Sequence, residues 1–250
     1  MLSMPIAVLN DIHGNLPALE AVIEEVLRAG ATEVVVGGDV LPGPMPRETL
    51  ARLHALPMPV RSLYGNGETD VRAARRGEEI ARVPEAFRGF IRWTAGQLTP
   101  EDVADVEQWP ATVRLHVAGI GDVLFCHATP QSDNAIFTEL TPEQRLRPLF
   151  DELGVAMVVC GHTHMPFDRM IGRIRVVNAG SVGMPFGPPG ADWLLLGPEV
   201  ALRHTDYDLA SAAARIKATD YPQADAFAEK YVLNPPTAEQ MLAAFGGVSP

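Results

Sequence analysis

Residues 155–165 read VAMVVCGHTHM, an apolar, β-branched run that stops at a glycine and is followed by two histidines one residue apart. The run is too short for a helix and predicts a buried strand whose carboxyl end carries His162 and His164. The chain has only seven histidines in 250 residues, so the pair gains meaning if other strands end in the same way. They do. IAVL (6–9) leads into Asn10-Asp11-Ile12-His13-Gly14-Asn15, and EVVV (33–36) into Gly37-Gly38-Asp39. PVRSLY (59–64) leads into Gly65-Asn66-Gly67-Glu68, and GDVLFC (121–126) into His127.

The segments between these strands set the fold class. LPALEAVIEEVLRAG (16–30) places Leu16, Leu19, Val22, Ile23, Val26 and Leu27 at helical spacing and ends at Gly30. Residues 46–55 form a short helix introduced by Pro46. Strand, helix, strand, helix, strand predicts parallel pairing through right-handed crossovers. Residues 70–110 break the rhythm and predict a helical insertion. ATVRLHV (111–117) and GDVLFCH (121–127) flank a glycine-rich turn and predict a hairpin. TPEQRLRPLFDEL (141–153) is a helix; FDRMIGRIRVVNAG (167–180), DWLLL (192–196) and EVALRHTDY (199–207) read as antiparallel strands. The tail (208–245) is mostly helical, broken at Pro222 and at residues 234–236, and no site is assigned to it. The expectation is one α/β domain over 1–250, with two mixed β-sheets packed as a sandwich and flanked by helices.

With 47% hydrophobic and 20% charged residues, the chain can bury a full core. Its net charge of −11 disfavours broad nucleic-acid binding. A phosphoester would need a local positive centre, and a metal ion is the obvious one. Cys126 and Cys160 both end apolar runs and are expected to be reduced core thiols. No segment approaches the ~20 apolar residues of a membrane helix, and the first residues lack a basic leader, so a soluble, cytoplasmic protein is expected. The sequence leaves a homo-oligomer open.

In open α/β sheets, ligands sit beyond the carboxyl ends of the strands, so the polar groups above are expected to converge. Asp, His and Asn suit Mn, Fe, Zn or Mg and need no thiolate. Asp11 and His13, like His162 and His164, are two positions apart, which in extended backbone points both side chains the same way. Seven such groups exceed one tetrahedral ion and fit a dinuclear site with a bridging carboxylate, the ions about 3.5–4 Å apart. Such a pair clamps a phosphoryl oxygen and makes hydroxide available for in-line attack on phosphorus.

Asp11-Ile12-His13-Gly14-Asn15, Gly38-Asp39, Gly65-Asn66, His127 and Gly161-His162-Thr163-His164 resemble, in order, the five blocks of the calcineurin-like metallophosphoesterase superfamily. Asn178-Ala179-Gly180-Ser181 is similar to that group's Asn-Pro-Gly-Ser turn, and the layout resembles its small bacterial phosphodiesterase branch. The resemblance implies an αββα fold and two divalent cations, with Mn favoured and Fe, Zn or Mg as alternatives. It implies one ion on Asp11, His13 and His164, a second on Asn66, His127 and His162, and Asp39 between them. It also implies a small phosphoester or nucleotide-like substrate and a metal-bridging hydroxide as nucleophile. The same fold would also serve a non-catalytic, metal-stabilised protein-interaction adaptor, a protein phosphatase or a dinucleoside polyphosphate hydrolase.

One block departs from the pattern. Relatives carry a histidine after the third-block asparagine, thought to protonate the leaving oxygen, and this chain has Gly67. The general acid is therefore expected to be missing or supplied elsewhere. Three residues have more than one reading. Asn15 touches substrate or caps the following helix. Glu68 contacts substrate, orients Asn66 or an arginine, or is a solvated carboxylate or helix cap. Arg72, with Arg75, Arg76 and Arg82, binds a phosphate or forms a solvated face paired with Glu78 and Glu79. His54, His116 and His204 are expected to be structural or solvent-facing.

Overall fold

The computed structural model describes residues 4–246. Strands β1 (Ile6–Leu9), β2 (Glu33–Val36) and β3 (Val60–Ser62) pair in parallel, joined by helices α1 (Leu16–Arg28) and α2 (Pro46–His54). Two antiparallel strands, β9 (Ala191–Leu196) and β10 (Val200–Thr205), extend this sheet beyond β1, giving the order β10-β9-β1-β2-β3. The second sheet has the order β4-β5-β6-β8-β7, from β4 (Thr112–Val117), β5 (Gly121–Cys126), β6 (Met157–Cys160), β7 (Phe167–Ile171) and β8 (Ile174–Asn178). Its centre, β5-β6-β8, is parallel, and hairpins close both edges.

Alternation along β1 explains the layering. Ala7 and Leu9 pack outward with Leu19, Val22, Ile23 and Val26 of α1, while Ile6 and Val8 point to the other face. There they meet Val35, Leu194 and Leu196 of their own sheet and Val123, Phe125, Met157 and Val159 of the facing sheet. The outer face of the second sheet packs Val158, Cys160 and Val176 on Leu146 and Phe150 of α6 (Glu143–Phe150). Both sheets are thus covered on two faces, which is why β1 and β6 read as unbroken apolar runs. Cys126 and Cys160 are free and buried, and burial pushes the Cys126 thiol up to about 12.

The insertion is helical, as α3 (Asn66–Arg75), α4 (Glu85–Gln97) and α5 (Pro100–Glu107), but it begins at the third block itself. The third strand is shorter than its apolar pattern: pairing with β2 ends at Ser62, the last bond to β2 runs from Leu63 N–H to Val36 O, and Tyr64 N–H donates outside the sheet to the Pro110 carbonyl. The tail forms α7 (Leu209–Lys217), α8 (Ala224–Phe227), a wider π-helical turn (Ala228–Leu233) and α9 (Ala238–Phe245). It packs Ile216, Tyr221 and Phe227 with Leu16 and Met45 at the edge of the first sheet. Among the described residues, no helix is long and apolar enough to cross a membrane.

His54, His116 and His204 each pair with an aspartate, at Asp105, Asp122 and Asp192. The third pair ties β10 to β9, with His204 Nδ1 2.7 Å from Asp192 Oδ1. Burial alone would lower the His204 pKa, but Asp192 and the exposed Asp206 raise it overall. Burial raises the Asp192 carboxyl, and His204 offsets only part of that rise. Both groups hold protons more tightly in the fold than in the unfolded chain, so stability falls as pH rises. The His204 contribution is complete below its unfolded pKa of about 6.5 and is lost as pH passes the higher folded value. Between pH 6 and pH 9 the thermal midpoint should fall about 1–2 °C further in the wild type than in His204→Gln, the size expected of a part-exposed pair worth about 0.5 kcal/mol. Equal slopes in the two proteins would remove the pair from the stability account.

Candidate metal centre

The carboxyl ends of β1, β2 and β3 face those of β5 and β6, and their loops are laced together through the backbone. Asp11 N–H donates to Gly38 O and His13 N–H to Asp39 O, at 3.0 and 2.9 Å. Gly161 N–H donates to His127 O at 2.8 Å, joining the two loops of the second sheet. Gly183 N–H donates to Asp11 O, and Ser181 Oγ also donates to that carbonyl at 2.7 Å. The lacing brings Asp11, His13 and His164 into one group and Asp39, His127 and His162 into another, the ligand atoms within each lying within 4.8 Å of one another. Asn66 joins the second group through Oδ1, 3.1 Å from His127 Nε2. Asp39 Oδ2 faces both groups, 3.4 Å from His127 Nε2 and 3.7 Å from His13 Nε2.

The aligned side chains do not come from extended backbone, contrary to the expectation for the paired positions. Asp11, His13, Asp39, His162 and His164 all have positive φ, between 48° and 67°. These are five of the six non-glycine residues in that conformation among the described residues. Left-handed backbone at such residues costs of order 1–3 kcal/mol each and persists only where the surroundings enforce it. Here the sharp turns let successive residues of one loop face a single point.

Three of the four imidazoles are fixed by their other nitrogens. Nδ1 of His13, His127 and His164 lies 3.3, 2.9 and 2.7 Å from the carbonyls of Pro42, Gly37 and Met184. An Nδ1–H donated to a carbonyl leaves Nε2 as a lone pair, the tautomer a metal takes. His13 Nε2 and His164 Nε2 then point at each other across 3.3 Å. Phe186 stacks on the His164 ring at 4.7 Å and holds its plane.

The carboxylates are held with equal care. Asp11 is fully buried; its Oδ2 accepts from His162 N–H at 2.9 Å, while Oδ1 has no hydrogen-bond partner. Burial would raise both aspartate pKa values, but the neighbouring histidines lower them below the ordinary carboxylate range. The same attraction raises His127 and His164 against the opposing effect of burial. His162 is pushed down to about 4, by burial first and then by the His127 charge. Two buried carboxylates, one with an orphaned oxygen, surrounded by four imidazoles of which three have a fixed tautomer, fit a pair of divalent cations.

Of the readings open for Asn15 and Glu68, the hydrogen bonds match the helix cap in both cases. Asn15 is fully buried; its Oδ1 accepts from Ala18 N–H as the cap of α1, and Nδ2 donates to Gly183 O. Glu68 is also fully buried and accepts from the backbone N–H groups of Asp39, Leu41 and Gly65 at 2.8 Å each. It caps α3 and ties that helix to the Asp39 loop, with the whole side chain out of reach of solvent. Burial, with the Asp39 charge second, pushes its carboxyl up to about 7 despite those bonds. Arg72 donates to the Val106 carbonyl and lies over the Tyr64 ring at 4.8 Å. With Arg76, Arg82 and His127 it lines a groove of about 450 Å³. Arg82 donates to Asp70 Oδ1 at 2.6 Å and to Asn66 O at 2.9 Å, and Asp133 accepts from Thr69 at 2.7 Å.

Sequence reasoning missed the carbonyls of Gly37, Pro42 and Met184, because a carbonyl leaves no mark in residue type. It also missed the tail. Tyr221, Phe227 and Tyr231 line a cavity of about 400 Å³ that reaches His13, Asp39 and Asn66. Their helical spacing reads as core, and only the tertiary fold turns them toward the centre.

Comparison with known proteins agrees with this fold. The chain is 29% identical over 195 residues to the phosphodiesterase YfcE of Escherichia coli, covering 76% of this chain and 86% of that protein. The structure superposes on a hypothetical protein from Pyrococcus horikoshii with a TM-score of 0.76 at 21% identity, covering 93% and 99% of the two chains. A metallophosphoesterase from Sphaerobacter thermophilus shares the fold at a TM-score of 0.69 and 22% identity, covering 92% and 98%. Residues 4–197 match the calcineurin-like phosphoesterase superfamily domain, and the chain is a member of that superfamily.

Proposed function

We propose that the protein is a metal-dependent phosphodiesterase acting on small, nucleotide-like phosphoesters. The observation that carries this reading is the group of imidazole and carboxylate atoms gathered by strained backbone at Asp11, His13, Asp39, His162 and His164. A protein-binding scaffold has no use for that strain, which favours an enzyme over an adaptor. The ions would be held by Asp11, His13 and His164 on one side and Asn66, His127 and His162 on the other, with Asp39 shared. Two bound divalent cations supply positive charge for a phosphoryl group and acidify a water for in-line attack on phosphorus. The mixed nitrogen and oxygen donor set suits Mn²⁺.

The residues of the chain do the positioning. Asp39 Oδ1 is occupied by Gly67 N–H at 2.7 Å, which turns Oδ2 toward the centre. Glu68 fixes the backbone on both sides of Asp39. Arg72 lies in the groove beside His127, where it would meet the far end of a substrate. Gly67 supplies no acid, and the structure gives a reason for glycine there. A Cβ at this position would stand 2.0 Å from the Leu41 carbonyl oxygen and 2.9 Å from Asp39 Oδ1. Where relatives place a histidine, this chain has a close backbone approach that clamps Asp39.

Asp39→Asn should lower Mn²⁺-dependent turnover of bis(p-nitrophenyl) phosphate at least about 100-fold while the circular dichroism spectrum is kept. Turnover retained in that variant would overturn the proposal. Without a histidine acid, esters with acidic leaving groups should be preferred. Across a series from nitrophenyl to alkyl esters, kcat/KM should fall by about 10²–10⁴, and alkyl monoesters should be the poorest substrates. A flat series would mean that another group donates the proton. Gly67→Ala should lose about 1–3 kcal/mol of stability by overpacking and weaken Mn²⁺ binding, read by denaturant titration and by elemental analysis. Wild-type values for both would show that the clamp is dispensable.

A further inference from the structure

The superfamily match ends at residue 197, but the cavity beside the metal centre is walled largely by residues outside the strand-end loops, many of them beyond that point. The cavity starts at His13, Asp39 and Asn66, runs between α4 and the tail, and has the volume of a small-molecule site. Phe87, Phe90 and Ile91 of α4 line it together with Tyr221, Phe227 and Tyr231 of the tail. Phe87 is 48% exposed, an apolar ring left open at the wall of the cavity.

The wall consists of ring faces and edges. Tyr221 stacks on Phe90 at 5.6 Å, and Phe227 meets Tyr221 and Tyr231 edge-on at 5.8 and 5.4 Å. Its backbone is shaped as unusually as that of the metal loops. The sixth non-glycine residue with positive φ among the described residues is Gln223, which lies on this wall, and the π-helical turn beyond α8 contributes Lys230 and Tyr231. Strained residues and π-turns cluster where a ligand is bound. Arg82 also lines the cavity, but paired with Asp70, so beyond the metal ligands Lys230 is its one other cation among the described residues, a lining that suits an anionic group at the metals and an uncharged ring beyond it.

Resting on the phosphodiesterase reading, we propose that this cleft seats a planar aromatic ester group of the substrate, an aryl ring or a nucleobase, while the phosphoryl group sits at the metal ligands. Ring walls with offset and edge geometry favour a flat π-surface over a flexible alkyl chain. The tail and α4 then form a specificity element, with Phe87, Tyr231 and Gln223 as its exposed or half-exposed parts.

The test is calorimetric titration of the Mn²⁺-loaded full chain with phenylphosphonate and with methylphosphonate. Phenylphosphonate should bind about tenfold more tightly, as one well-placed aromatic contact allows. Phe87→Ala and Tyr231→Ala should each reduce that ratio to about threefold or less, and Phe87→Trp should keep it. A parallel comparison of adenosine 5′-monophosphate with ribose 5-phosphate separates the two sources: a similar preference assigns a nucleobase, and equal affinities with the phenyl preference intact assign a simple aryl group. A ratio near one in the wild type, or a ratio unmoved in both alanine variants, overturns the proposal. Failure of the phosphodiesterase reading looks different: no diester is turned over while the phenyl preference persists.

Discussion

The structure depends on the buried carboxylate of Asp39. One of its oxygens is taken by the Gly67 N–H, and the other faces His13 from the first sheet and His127 from the second. Its own N–H is held by Glu68, and its carbonyl accepts from His13 N–H. The side chain therefore fixes the loops after β1, β2, β3 and β5 relative to one another. A charged group so deep in the protein is tolerable only because positive or polarisable partners surround it. This constraint accounts for the fixed tautomers, the capping carboxylate of Glu68 and the glycine at position 67.

The acidity of the whole chain follows a separate logic. With a net charge of −11, the surface by itself repels phosphoesters. Arginines near the centre are engaged with acids: Arg76 with Glu78, and Arg82 with Asp70 and Asp133. Attraction of an anion is thus concentrated where cations bind, which keeps the remaining surface free of adventitious anions.

Much of this was legible in the sequence for an identifiable reason. Short, β-branched apolar runs are too brief for helices and read as buried strands, and the topology of parallel sheets places the residues just beyond each run at one edge. The candidate metal residues sit at those strand ends. Their conformation was not legible, because left-handed φ at Asp11 or His164 depends on the surrounding loops and not on residue type. The roles of Asn15 and Glu68 were ambiguous for a related reason: capping and ligand contact call for the same side chains, and only burial decides between them. The aromatic residues of the tail carried a core pattern because the outer parts of α7 and α8 do pack as core.

The interlaced loops also bear on biosynthesis. The carboxylates Asp11 and Asp39 leave the ribosome long before His127, His162 and His164, and the first sheet lacks β9 and β10 until β10 ends at Thr205. An N-terminal half folded early would bury two acids beside a single histidine and would leave β1 as an open edge. The first sheet and the full set of candidate ligands are therefore both complete only when the chain has been made as far as Thr205.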